Sequence, residues 1–138
     1  MDMQAINRSV IEEFRAAGGT VGGHLAGKPM LLLTTTGART GQARTTPLAY
    51  VADGTDLVVF ASNLGAPRDP DWFRNLAAGP EVTVEVGDER FAARATPAVG
   101  AERERLYELF VSRNPGTEEH QARAGRPIPM VVLRRSGD

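Results

Sequence analysis

Two strand-like apolar segments joined by a tight glycine turn can hardly fold as anything but a β-hairpin, and this chain carries that signal twice. Asp53-Gly54 separates residues 45–52 from the apolar run Leu57-Val-Val-Phe-Ala61, and an Asp-Gly pair suits the positive backbone angles of a two-residue hairpin turn. Gly87-Asp88 separates Val82-Thr-Val-Glu-Val86 from a run in which Phe91, Ala93 and Ala95 alternate with Arg90 and Arg94, as strands with one wet face should. Hairpins pair strands antiparallel, which excludes a doubly wound parallel sheet.

The remaining segments fit around those hairpins. Met30-Leu-Leu-Leu33 is an apolar run too short for a helix and bounded by turn residues, so it is expected as a buried strand. Residues 128–133 are expected as the last strand, with Pro127 and Pro129 placing its start at a sheet edge. Met3, Ile6, Val10 and Phe14 recur at helical spacing and Gly18-Gly19 can terminate that helix. Its functional reading is a lid or a membrane foot. Mixed charges on its polar side favour an ordinary packing helix.

A second helix is expected from Asp69-Pro70-Asp71, with Asp69 as its carboxylate cap, to Gly79-Pro80. A third spans 101–113 on Leu106, Leu109 and Phe110, and 117–124 adds one or two turns. The expected fold is β-rich α+β: a barrel of about six mainly antiparallel strands with flanking helices. It forms one domain over 1–138, with residues 1–19 as the part free to move.

Composition removes several functions. The chain has no cysteine, which excludes disulfides and thiolate chemistry and suits a cytoplasmic protein, membrane-peripheral at most. A net charge of −1 argues against nucleic-acid binding. No apolar run approaches the roughly 20 residues of a membrane span. His24 and His120 have no acidic helper at ligand spacing, so no metal site is expected. The Gly37…Gly41 spacing is followed by a strand, unlike phosphate-binding motifs that open a helix.

The chemistry-bearing stretch is Thr34-Thr-Thr-Gly-Ala-Arg-Thr-Gly-Gln-Ala-Arg-Thr-Thr-Pro-Leu48. Arg39 and Arg44 can fork onto phosphate or carboxylate, with hydroxyls of Thr40 and Thr46 donating. The same residues also suit a plain hairpin turn with solvated arginines. Trp72 and Asn75 share a helix face and can hold an aromatic ring, or can be a core indole and a surface amide. Residues 62–67, including Ser62, Asn63, Ala66 and Pro67, follow a buried strand and can admit a ligand close to the backbone, or can form a simple turn.

As an ordered set these stretches resemble the deazaflavin-dependent nitroreductase family of actinobacteria. The resemblance is carried by Pro29-Met-Leu-Leu-Leu-Thr-Thr-Thr-Gly37, Arg39-Thr-Gly41, Arg44-Thr-Thr-Pro-Leu48, Ala61-Ser62, Gly65-Ala-Pro67, Pro70, Trp72, Asn75, Leu76 and Arg126-Pro-Ile-Pro129. It implies a split β-barrel and the cofactor coenzyme F420, a deazaflavin with a phospholactyl group and a polyglutamate tail. FMN is the alternative cofactor.

By that resemblance Arg39, Thr40, Gly41 and Arg44 hold the phosphate and tail, and Arg68 meets the outer glutamates. Thr46, Pro47, Leu48, Ala61 and Ser62 line the ring, with Trp72 and Asn75 closing its far side. Ser62 is the implied proton donor, and His120 falls where relatives carry a pocket tyrosine. The implied activity is hydride transfer to a quinone, enone or nitroaromatic acceptor by a monomer or homodimer; a non-catalytic carrier of the same fold is the alternative. Ala38 and Asn63 stand where many relatives carry basic residues, and residues 116–123 lack the relatives' tyrosines.

Overall fold

The computed structural model describes residues 3–19, 29–61, 69–114 and 116–136. Helix α1 (Met3–Ala16) precedes strands β1 (Met30–Thr36), β2 (Ala43–Asp53) and β3 (Asp56–Phe60). Helix α2 (Asp71–Ala78) leads into β4 (Glu81–Val86) and β5 (Glu89–Pro97), then α3 (Gly100–Arg113), α4 (Thr117–Ala124) and β6 (Met130–Arg135). The six strands close into an antiparallel barrel in the order β1-β2-β3-β6-β5-β4. Both expected hairpins form, with Gly54 at φ +62° and Gly87 at φ +59° in their turns.

Closure explains why several strands are apolar at every position. Along β6, Val131 and Leu133 face the barrel interior with Leu31, Leu33, Val59 and Val84. Met130 and Val132 face outward, where Leu106 and Phe110 of α3 cover them together with Val58 and Phe60. A strand buried on both faces has no polar alternation to show. Closure also corrects one expectation: β6 lies between β3 and β5 and is not an edge. Its prolines precede the strand, and the Pro129 carbonyl accepts a hydrogen bond from the Ala61 N–H at 3.0 Å.

Helix α1 packs outside the barrel, with Phe14 buried against Met30 and Leu32. Its end is a glycine cap: Gly18 and Gly19 have positive φ, and the Gly19 N–H returns to the Phe14 carbonyl at 2.8 Å. A Cβ on Gly19 would stand 2.4 Å from Gly87 Cα, so the cap also needs glycine for close approach. Arg15 clamps the helix to β4 through a two-pronged bond to Glu85 at 3.0 and 2.8 Å.

That hydrogen bond, more than the surrounding charge, holds the Glu85 carboxyl below its ordinary value, and burial only partly opposes it. The contribution is therefore fully present above the ordinary glutamate range and is lost as pH falls through the lowered value. Half of Arg15 is exposed, which limits the pair to about 1 kcal/mol. Glu85→Gln is expected to lower thermal stability by about that amount at pH 7. The difference from the parent protein should close under acid; a gap unchanged by pH in thermal melts would dissociate the clamp from Glu85 ionisation.

Candidate active site

Strand β2 creates the site by outrunning its neighbour. It pairs with β1 from Ala43 to Ala49, but β3 reaches it only from Tyr50 to Asp53. The Tyr50 N–H bonds the Pro29 carbonyl, so strand alternation turns the Arg44, Thr46 and Leu48 amides towards β1. Thr45 and Pro47 then present their peptide groups to the other edge, which no described strand pairs there. Pro47 sits there without loss, since it has no N–H to offer a ladder.

A cleft of about 1220 Å³ opens along this edge. Its walls are the β1–β2 turn, the free half of β2, Phe60, the first turns of α2, and Asn7, Arg8 and Ile11 of α1. Drug-sized ligands occupy pockets of about 300–1,000 Å³, so a ring with a long substituent fits this volume.

The turn from Gly37 to Gln42 is internally braced. Gly37 N–H bonds the Gln42 carbonyl at 2.8 Å and Gly41 N–H the Gly37 carbonyl at 2.9 Å. Gln42 N–H bonds Thr40 Oγ1 at 3.2 Å, leaving the Thr40 hydroxyl proton free to point outward. Gly41, at φ +70°, makes the left-handed bend. Among the described residues the consecutive amides of Arg39 and Thr40 have no partner, and consecutive free N–H groups are an anion-binding element.

Helix α2 holds the turn in place. Asn75 is 8% exposed; its Oδ1 accepts from the Ala38 N–H at 3.0 Å and its Nδ2 donates to Thr35 Oγ1 at 3.0 Å. Asn75, expected from the sequence to sit beside the ring, borders the cleft with its carboxamide engaged in bracing the turn. Trp72 and Leu76 plug the barrel interior, and Trp72 meets Phe73 edge-on at 6.2 Å while still bordering the cleft. The core reading of Trp72 holds, and the indole also lines the cleft.

Asp69 does not cap α2. The helix begins after Pro70 with no side-chain cap, and the Asp69 carboxylate instead accepts from Arg126 at 2.6 Å. A partly buried guanidinium is a stronger partner than an N-terminal amide.

Charge distinguishes the cleft. Arg15, Arg94, Arg105, Arg134 and Arg135 all sit against carboxylates on the outer surface. Of the described arginines without an ion pair, Arg8, Arg39 and Arg44 line the cleft, while Arg90 and Arg113 lie elsewhere. The one acid among the described residues of its wall, Asp71, is taken by Arg74. Among the described residues Arg8, Arg39 and Arg44 have no acceptor of their own.

Arg39, Thr40, Arg44, Thr46, Pro47, Leu48, Trp72 and Asn75 are thus brought together. Ala61 is wholly buried in the barrel core. His120 sits on α4, which packs against α3, and it is not among the cleft's lining residues. Ser62, Asn63, Ala66, Pro67 and Arg68, like His24, lie outside the described residues. Sequence reasoning missed Arg8 and Ile11; the helical stripe of α1 was visible, but not which wall it would build.

The sequence pattern of the family described as F420H(2)-dependent quinone reductase matches residues 6–135. An F420H(2)-dependent quinone reductase of Mycobacterium tuberculosis is 41% identical over 126 residues, covering 88% of this chain and 85% of the relative. A solved F420-H2 dependent reductase, FDR-A, superposes with a TM-score of 0.72 at 35% identity, over 82% of this chain and all of that one. A solved domain-swapped dimer gives 0.74 at 34% identity, over 92% and 96%. The family description names a quinone; the nitroreductase name does not occur in it. The chain belongs to the F420H(2)-dependent quinone reductase family.

Proposed function

We propose that this protein is an oxidoreductase that binds reduced coenzyme F420 in the cleft beside β2 and passes hydride to a quinone-type acceptor. The observation that carries the reading is the set of unpaired donors on one wall, Arg39, Arg44 and the Arg39 and Thr40 amides, next to an apolar wall of Pro47, Leu48, Phe60 and Trp72. The donors match a phosphate and carboxylate tail, and the apolar wall matches a flat ring. When bound, reduced deazaflavin supplies the hydride from its C5 carbon.

The protein's own part is placement. Arg39 and Arg44 hold the anionic end, and the free peptide group of Thr45 can bond the ring's polar edge. Pro47, Leu48 and Phe60 keep water away while the acceptor rests on the open face. Ser62, by the family resemblance, handles the proton. His120 stands apart from this wall and is given no part in it.

Mixing the protein anaerobically with reduced F420 and menadione tests the reading. Catalysed oxidation of the cofactor well above the uncatalysed rate is expected. Tight binding without turnover across quinones, enones and nitroaromatic compounds would make the protein a carrier; binding of FMN and not F420 would overturn the cofactor assignment.

A further inference from the structure

We propose that Arg8 of α1 is a specificity-determining residue that reads the outer carboxylates of the ligand's anionic tail. The inference rests on the deazaflavin reading above and extends it to an element outside the β1–β2 turn. Arg8 lines the cleft beside Asn7 and Ile11. Its placement is fixed from the other end of the helix, where Phe14 is buried and Arg15 is forked onto Glu85. Arg8 and Arg15 are seven residues apart, so they share one stripe of the helix about 10 Å apart along its axis.

On that stripe Arg15 has its acid and Arg8 has none among the described residues. Glu12, four residues on, is at the natural spacing for a helical ion pair, yet none forms. Arg8 instead joins Arg39 and Arg44 on a cleft whose only acid among the described residues, Asp71, is engaged by Arg74. Like charges gathered without a counterion repel, and a polyanion entering between α1 and the turn relieves all three together. The turn donors and Arg44 suit the phosphate-proximal end. Arg8, on the facing wall, suits carboxylates further along the tail, so its contribution should grow with tail length.

The test is titration of the parent protein and of Arg8→Gln and Arg8→Lys with deazaflavins bearing no tail, one glutamate or several, read by ligand fluorescence. Arg8→Gln is expected to weaken the several-glutamate ligand about three- to tenfold, as an exposed charged contact allows. It should leave the tail-less ligand unchanged and flatten the salt dependence of tailed binding, while Arg8→Lys recovers most of the loss. Equal weakening of tailed and tail-less ligands would mean that Arg8 merely seats the helix, and no weakening would mean that it faces solvent; either overturns the proposal while the deazaflavin reading stands. Failure of the parent protein to bind any deazaflavin would remove both.

Discussion

Replacing Arg39 and Arg44 together by glutamine is expected to weaken F420 binding by about ten- to a hundredfold and to leave the fold untouched. Both side chains are exposed, and neither makes an internal ion pair or hydrogen bond among the described residues. Their removal leaves no buried partner orphaned, so the melting temperature should stay within about 2 °C of the parent. Binding loses two charge-assisted contacts. At about 0.7–1.4 kcal/mol each, half-exposed and partly screened, these multiply to the stated range. The loss should shrink at high salt, where the parent protein also loses this attraction. An unchanged dissociation constant at low salt in a fluorescence titration would place the tail elsewhere.

Asn75→Ala should show the opposite signature, with stability falling as well as affinity. It removes the acceptor for Ala38 N–H and the donor to Thr35 Oγ1, and Thr35 is 1% exposed. Leaving buried polar groups unpaired costs about 1–3 kcal/mol, so a loss of about 2–3 kcal/mol is expected in denaturant unfolding. The turn amides of Arg39 and Thr40 then lose their brace, and cofactor affinity should drop several-fold although Asn75 need not touch the ligand. A cycle with Thr35→Val isolates the bond, because the Asn75→Ala cost should be smaller once the hydroxyl is gone. Strict additivity would show that the two side chains do not depend on each other.

These two sites also mark how far the sequence could be read. Strand and helix positions were legible because Asp53-Gly54, Gly87-Asp88, Gly18-Gly19 and Gly79-Pro80 punctuate the chain, and the periods between them are unambiguous. Barrel closure was less so: a strand such as β6, apolar at four successive positions, reads the same at an edge or between neighbours.

Within the site, Arg39 and Arg44 were visible because a turn rich in donors is unusual composition. The use of Asn75 was not, since sequence spacing shows which helix face it shares with Trp72 but not that Thr35 and Ala38, some forty residues earlier, close on its amide. Asp69 failed as a cap for a similar reason, its partner Arg126 being 57 residues away. Long-range polar pairing is what periodicity and turn chemistry cannot encode.

If the unpaired edge of β2 and the turn before it form the cofactor site, an amide NMR titration of the isotopically labelled protein with oxidised F420 should show it. The largest shifts are expected at the amides of Arg39, Thr40 and Thr45 and at the Trp72 indole. Shifts concentrated on α3 and α4 around His120, with residues 37–48 unmoved, would place the cofactor elsewhere.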